Sequence, residues 1–167
     1  VNLNNSNSQF YYYGINLLND SNSIDNYIEI NHNTKHTISN LNQKNILTDK
    51  SKGIFYSKST IKNNSYNSEA HQNNNNLILS ENALVHSNPQ LMIYNDDVQC
   101  SHGSTTGKID NDALFYLRSR GINLKEAKQI LLNAFLNDII DNINNDDINL
   151  DLKEKINLWV NKHVNKK

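Results

Sequence analysis

One cysteine in 167 residues excludes an internal disulfide, so the chain carries no mark of an oxidising compartment. Neither sign of charge is in excess. Sixteen basic and seventeen acidic residues give a formal net charge of −1, without the basic surplus that a nucleic-acid surface needs. Long apolar runs are missing too: no stretch approaches the roughly 20 residues of a membrane span. The first residues also lack the charged, then apolar, then small-residue order of a signal peptide. Gly103 and Gly107 flank Ser104-Thr105-Thr106 without the lysine or the spacing of a phosphate loop, so no nucleotide site is read there.

What the chain has in abundance is asparagine, and its mean hydropathy is −0.71. Runs such as Asn73-Asn74-Asn75-Asn76 have three readings. They are drift under A/T-rich codons, solvated loops in which asparagine tolerates left-handed backbone, or stacks on successive rungs of a solenoid. Codon bias is placed first for most positions. Between the polar stretches lie short apolar clusters: Phe10–Tyr13, Ile15–Leu18, Tyr27–Ile30, Ile46-Leu47, Ile54–Tyr56, Leu77–Leu79, Ala83–Val85 and Leu91–Tyr94. Their length and β-branched or aromatic content predict strands. No exact repeat period is visible, and the pattern alone leaves a β-sandwich and a parallel β-helix equally open.

The periodicity turns helical after Ile109, which divides the chain into a β part over residues 1–108 and a helical part over 109–167. Asp110 or Asn111 caps a first helix that Gly121 stops, and Ala113–Leu117, apolar on nearly all sides, is expected to be buried. A second helix starts at the capping box Asn123-Leu124-Lys125-Glu126 and presents Ala127, Ile130, Leu131, Ala134, Phe135 and Ile139 on one face. A third is expected after Asp151, with Asp141–Asn149 as a polar connector. The helices are expected to cap the open end of the β part.

One segment carries candidate chemistry. Asp96-Asp97-Val98-Gln99-Cys100-Ser101-His102-Gly103 places the only cysteine two residues before a histidine. On a strand those side chains project to the same side, about 6.6 Å apart. A thiol beside an imidazole is half of a metal site, since a closed zinc or cluster site takes four ligands. The plainer reading is a small buried hydrophobe beside a hydrogen-bonded turn histidine. A Cys-His hydrolase is disfavoured because parallel side chains do not meet readily. Asp96-Asp97 reads as a turn rather than a cation site for a polysaccharide-cleaving enzyme, because adjacent strand residues face opposite ways.

The same segment, followed by Leu114-Phe115-Tyr116-Leu117-Arg118-Ser119-Arg120-Gly121-Ile122, resembles the SufD branch of the SufB/SufD family. The likeness extends upstream through Asn75–Ser80 and Pro89-Gln90-Leu91, more loosely to Lys44–Leu47 and Gly53–Phe55, and downstream to Ala127 and Leu131–Phe135. Coverage is good from about residue 35 to 140. The SufB branch reads Cys-Glu-His-Glu at the motif, so Ser101 and Gly103 place the chain on the SufD side. The resemblance implies the last turns of a right-handed parallel β-helix followed by a small helical domain, a C-terminal piece of a longer protein with Val1 mid-solenoid.

By the same resemblance the chain is a non-enzymatic scaffold subunit of the SUF iron–sulfur cluster assembly machinery, the SufBCD complex. His102 is the stronger implied metal residue and Cys100 the weaker, at a transient iron–sulfur cluster shared with SufB. Leu91, Ile93 and Val98 mark the edge implied to meet SufB in a heterodimer. Ala127, Leu131 and Phe135 mark the helical region implied to dock the ATPase SufC. A homodimer is a further implied arrangement; nucleic acid and membrane are not partners. The A/T-laden composition points to a plastid of the apicoplast type, with the bacterial cytoplasm as the alternative. The competing function classes are a self-associating solenoid module without metal chemistry and, behind it, a lyase or hydrolase on a β-helix.

Overall fold

The computed structural model describes residues 1–143 and 145–164. Strands β1 (Asn2–Leu3), β3 (Ser23–His32), β5 (Lys52–Ile61) and β7 (Leu84–Ile93) form one parallel sheet. Strands β2 (Gln9–Leu18), β4 (Ile38–Leu47), β6 (Ser68–Ile78) and β8 (Val98–Gly107) form the other. Consecutive strands alternate between sheets, and each pairs with the strand two places on. The chain therefore winds as a β-solenoid, not a sandwich. Three helices follow: α1 (Asn111–Ser119), α2 (Leu124–Asp141) and α3 (Asp146–His163).

A repeat does exist. Gln9 lies opposite Ile38, 29 positions on, and Ile38 opposite Glu69, 31 positions on. Ser23 lies opposite Lys52, again 29 positions on, and Lys52 opposite Leu84, 32 positions on. The corners repeat with it. Asn7, His36 and Asn67 take positive φ at one corner, and Asp20 and Asp49 at another. Asn and Asp reach this left-handed conformation more readily than other non-glycine residues, which is the physical reason for their place there.

Alternation along each strand sends one set of side chains into the lumen between the sheets. In β4 that set is Ser39, Leu41, Gln43, Asn45 and Leu47, every one buried. Asparagines stack within it: Asn16 Nδ2 donates to Asn45 Oδ1 at 2.8 Å, and Asn45 Nδ2 donates to Asn76 Oδ1 at 2.6 Å. Each amide satisfies the next, so polar groups occupy the lumen without leaving donors orphaned. At Asn45, Asn74 and Asn76, all buried, the rung-stacking reading replaces codon drift as the structural account.

His32 shows the other way a polar group is held inside. It is fully buried, with Nδ1 2.8 Å from Thr37 Oγ1 and Nε2 2.8 Å from Ser39 Oγ. Burial lowers its pKa from 6.5 to about 4. Below pH 6.5 the unfolded chain takes up the proton first. The stability tied to neutral His32 is therefore complete above that pH and lost as pH falls toward 4. A shift of this size corresponds to about 3 kcal/mol. Urea midpoints of the wild type should drop between pH 6.5 and 4.5, and His32→Gln should flatten that part of the profile. Parallel profiles for the two proteins would remove His32 as the cause.

The helices do not cap the solenoid end. They lie on the outer face of the second sheet, where Ile15, Leu17, Ile46 and Leu77 point outward and join one core with Leu132, Leu136, Ile140, Ile156 and Val160. Burying the six fully covered side chains of that core contributes on the order of 10 kcal/mol before chain ordering is counted. Lys44, also outward-facing and only 7% exposed, donates to the Phe135 carbonyl and to Asp138. Trp159 Nε1 donates to Asn19 Oδ1 at 3.1 Å. A continuous outer apolar stripe needed covering more than the short lumen mouth did.

Three local expectations change as well. α2 buries Ala127, Leu132, Leu136, Ile139 and Ile140, while Ile130 and Ala134 are exposed. The helix carries two apolar stripes, and the solenoid and α3 select the one containing Leu132 and Leu136. α1 buries none of its residues, and Phe115 is 74% exposed. α3 begins at Asp146 behind an Asn145 cap that accepts from Ile148 N at 3.1 Å, so Asp151 lies inside the helix and pairs with Lys155. The Asp110 and Asn123 caps form as expected, and Gly121 ends α1 at φ +88. Among the described residues, no helix is long and apolar enough to cross a membrane.

Candidate functional site

Among the described residues no further rung pairs with β7 or β8, so the solenoid is open where they end the two sheets. The motif lies on that last rung. Cys100 is the register partner of Ala70 and His102 of Gln72, and both Ala70 and Gln72 are buried lumen residues. Cys100 and His102 therefore face the lumen side by side, as strand alternation requires. Cys100 is half-buried and His102 exposed only because no strand lies above them. Ser104 belongs to the same inward set, and its Oγ donates across the lumen to Ser87 Oγ at 2.8 Å.

The opposite wall is β7. Val85, Ser87, Pro89, Leu91 and Ile93 pair with the lumen residues Gly53, Phe55, Ser57, Ser59 and Ile61, so they face inward too. The proposed edge residues Leu91, Ile93 and Val98 thus line the same mouth as Cys100 and His102. One wall carries thiol, imidazole and hydroxyl groups, and the other is mainly aliphatic.

Backbone direction can also be assigned. Leu84 N donates to Ser51 O and Tyr94 N to Ile61 O, so even-numbered residues of β7 point back to β5. Odd-numbered residues, including Pro89, Leu91 and Ile93, point to the free edge. The only proline sits where its missing N–H costs no ladder bond. In β6, Glu69 N donates to Thr37 O, which leaves its even-numbered residues to pair with odd-numbered residues of β8. Val98, Cys100 and His102 therefore aim their backbone groups outward as well.

Below His102 the floor is closed. Gln72 Oε1 accepts from Ser57, and Gln72 Nε2 donates to Ser59 Oγ at 2.8 Å and Gln90 O at 2.9 Å. Both Nε2 hydrogens of that amide are committed, so it has no donor left for the imidazole. Burial pushes the Cys100 thiol pKa up, and a hydrogen bond with the Ala70 backbone opposes the shift without reversing it. The thiolate is correspondingly scarce at neutral pH. Among the described residues, no group of three or more His, Cys, Asp and Glu side chains is placed to hold a metal ion.

Asp96 and Asp97 form the turn into β8, where Asp97 O accepts from Asn67 N at 2.7 Å. Gly103 and Gly107 lie inside β8 rather than in a loop. On the helices, Ala127 is fully buried and Leu131 half-buried. Phe135 packs on the solenoid, with the Lys44 ammonium 4.8 Å from its ring centre. Among the described residues, the exposed large apolar side chains of that layer are instead Phe115, Tyr116, Leu124, Ile130, Ile148, Leu150 and Leu158.

Residues 1–135 match the family model described as SUF system FeS cluster assembly, SufBD core domain. The chain is 44% identical over 92 residues to the iron–sulfur cluster assembly protein SufD of Escherichia coli (strain K12), covering 55% of this chain and 22% of that protein. It is 26% identical over 145 residues to the SufD of Plasmodium falciparum, covering 86% of this chain and 10% of the relative. It is 39% identical over 72 residues to the chloroplastic protein ABCI7 of Arabidopsis thaliana, covering 43% and 15%. The chain spans about a quarter or less of the length of these relatives.

Proposed function

Because the chain belongs to the SufBD core family of the SUF system, we propose that it is a non-enzymatic subunit for iron–sulfur cluster assembly, of the SufD type. The observation that supports this most directly is the open terminal rung, with Cys100 and His102 on its lumen face as an incomplete donor set beside two free strand edges. A second solenoid chain stacked on β7 and β8 would extend both ladders and bring the remaining donors in one step. In this reading that chain is SufB, and the cluster is cargo held transiently between the two.

An imidazole such as that of His102 binds iron through a ring-nitrogen lone pair, whereas Cys100 must lose a proton that burial makes harder to remove. The helices serve SufC. Since Ala127 is buried and Phe135 is committed to the solenoid, the ATPase would meet Phe115, Tyr116 and Ile130 instead. Relatives include a bacterial and a chloroplastic protein, and the asparagine-laden composition favours a plastid address.

Anaerobic co-expression with SufB and SufC tests the proposal through iron and acid-labile sulfide per purified complex. The expected result is a three-subunit complex carrying both. A complex that assembles but stays free of iron and sulfide would overturn it. In that event, self-association of the chain alone would support a solenoid module without metal chemistry.

A further inference from the structure

A cleft of about 300 Å³ opens at the seam between solenoid and helices, on the side of the molecule built by β6, the 108–111 linker and the three helices. Ile78, Leu79, Ile109, Leu114 and Val164 make its floor apolar. Lys108 and Lys128 stand at its rim with Glu81. Its volume is at the lower end of the range in which small-molecule sites fall.

The rim groups differ in what they have left to offer. Ser80 Oγ is committed to Asp49 O at 2.6 Å. The N-terminus of α1 is already capped by Asp110, whose carboxylate accepts from Asp112 N and Ala113 N, so that helix end is not the anion site. Neither Lys108 nor Lys128 takes part in a salt bridge among the described residues. Two cations against one carboxylate leave a net positive rim over an apolar floor.

From this complementarity we infer that the cleft binds a small amphipathic carboxylate, with its acid group between Lys108 and Lys128 and its hydrocarbon part on the Ile109–Leu114–Val164 floor. Leu79 and Ile109 belong to the apolar core that seats the helices on the solenoid, so an occupant touches both layers at once. Binding here fastens the helical layer, and its loss loosens it, independently of the cluster mouth at β7 and β8. Because the ligand selects the docked arrangement, it also raises the temperature at which the helices leave the sheet.

Sodium octanoate is the probe, titrated into the full chain and followed by isothermal calorimetry and by backbone amide shifts. One saturable site is expected, with shifts clustered on Leu79, Ile109, Leu114 and Lys128. The double variant Lys108→Gln/Lys128→Gln should weaken binding about tenfold or more, as loss of charge-assisted bonds requires. Lys125→Gln, an exposed lysine on α2 outside the cleft, should leave it unchanged. Octan-1-ol should bind at least about tenfold more weakly than octanoate, because the charge recognition is lost. No saturation at millimolar octanoate, equal affinity in the double variant, or shifts centred on Phe115 and Tyr116 would each overturn the assignment.

Discussion

Replacing Ile93 by proline should abolish association with SufB while leaving the chain itself folded. The two halves of that outcome rest on different bonds. Ile93 is an odd-numbered residue of β7, and its N–H points to the free edge; the neighbouring Tyr94 N–H is the one that holds β7 to β5. A proline at 93 therefore removes an outward donor without breaking the internal ladder, and its ring obstructs an incoming strand. Pro89 already occupies an equivalent position, four residues earlier on the same strand. The Ile93 side chain is 46% exposed, so its replacement removes little core. Pull-down of SufB should fall to background, with circular dichroism and the thermal midpoint of the isolated chain little altered. Full SufB capture by the folded variant would place the interface elsewhere.

His102→Ala is expected to have the second large effect, on cargo rather than on assembly. The imidazole lies on the lumen face of an open rung, above a glutamine whose amide is held by Ser57, Ser59 and Gln90. Removing it deletes a donor without opening a cavity, since nothing is packed on top. Iron, sulfide and cluster absorbance per complex should fall by most of their wild-type value, while size-exclusion shows the complex intact. Cys100→Ser should do less, because burial keeps the thiol largely protonated and serine nearly matches its size. Equal cluster loading in wild type and His102→Ala would reduce this subunit to a purely structural part.

The parity of the motif was legible from sequence: residues two apart on a strand must share a face, and Cys100 and His102 do. That this face is the lumen was not legible, because it depends on the rung below, through Ala70 and Gln72, about 30 residues away. The repeat itself was present at the corners, where Asn7, His36 and Asn67 recur at 29 and 31 positions and Asp20 and Asp49 at 29. It was hidden because few positions keep the same residue from rung to rung; a rung asks only for size and polarity, and Leu41 stacks below Gln72 as readily as Asn45 below Asn76. α2 was misread by rotation. Both of its stripes satisfy helical spacing, and only the outer apolar row of the second sheet distinguishes them. The exposure of Phe115 escaped prediction for a related reason: an apolar helix signals that something covers it, without saying whether the same chain does.

The lone proline bears on a hazard common to all stacked rungs. A solenoid whose final rung matches its first can add copies without end, since head-to-tail contacts of this kind never close. Pro89 breaks the row of outward donors midway along β7, so a strand laid along that edge finds a gap in its ladder. A partner shaped to bridge the gap can still dock, but a second copy stacked in simple register gains a weaker seam. The proline thereby makes the terminal rung a poorer template for fibre growth.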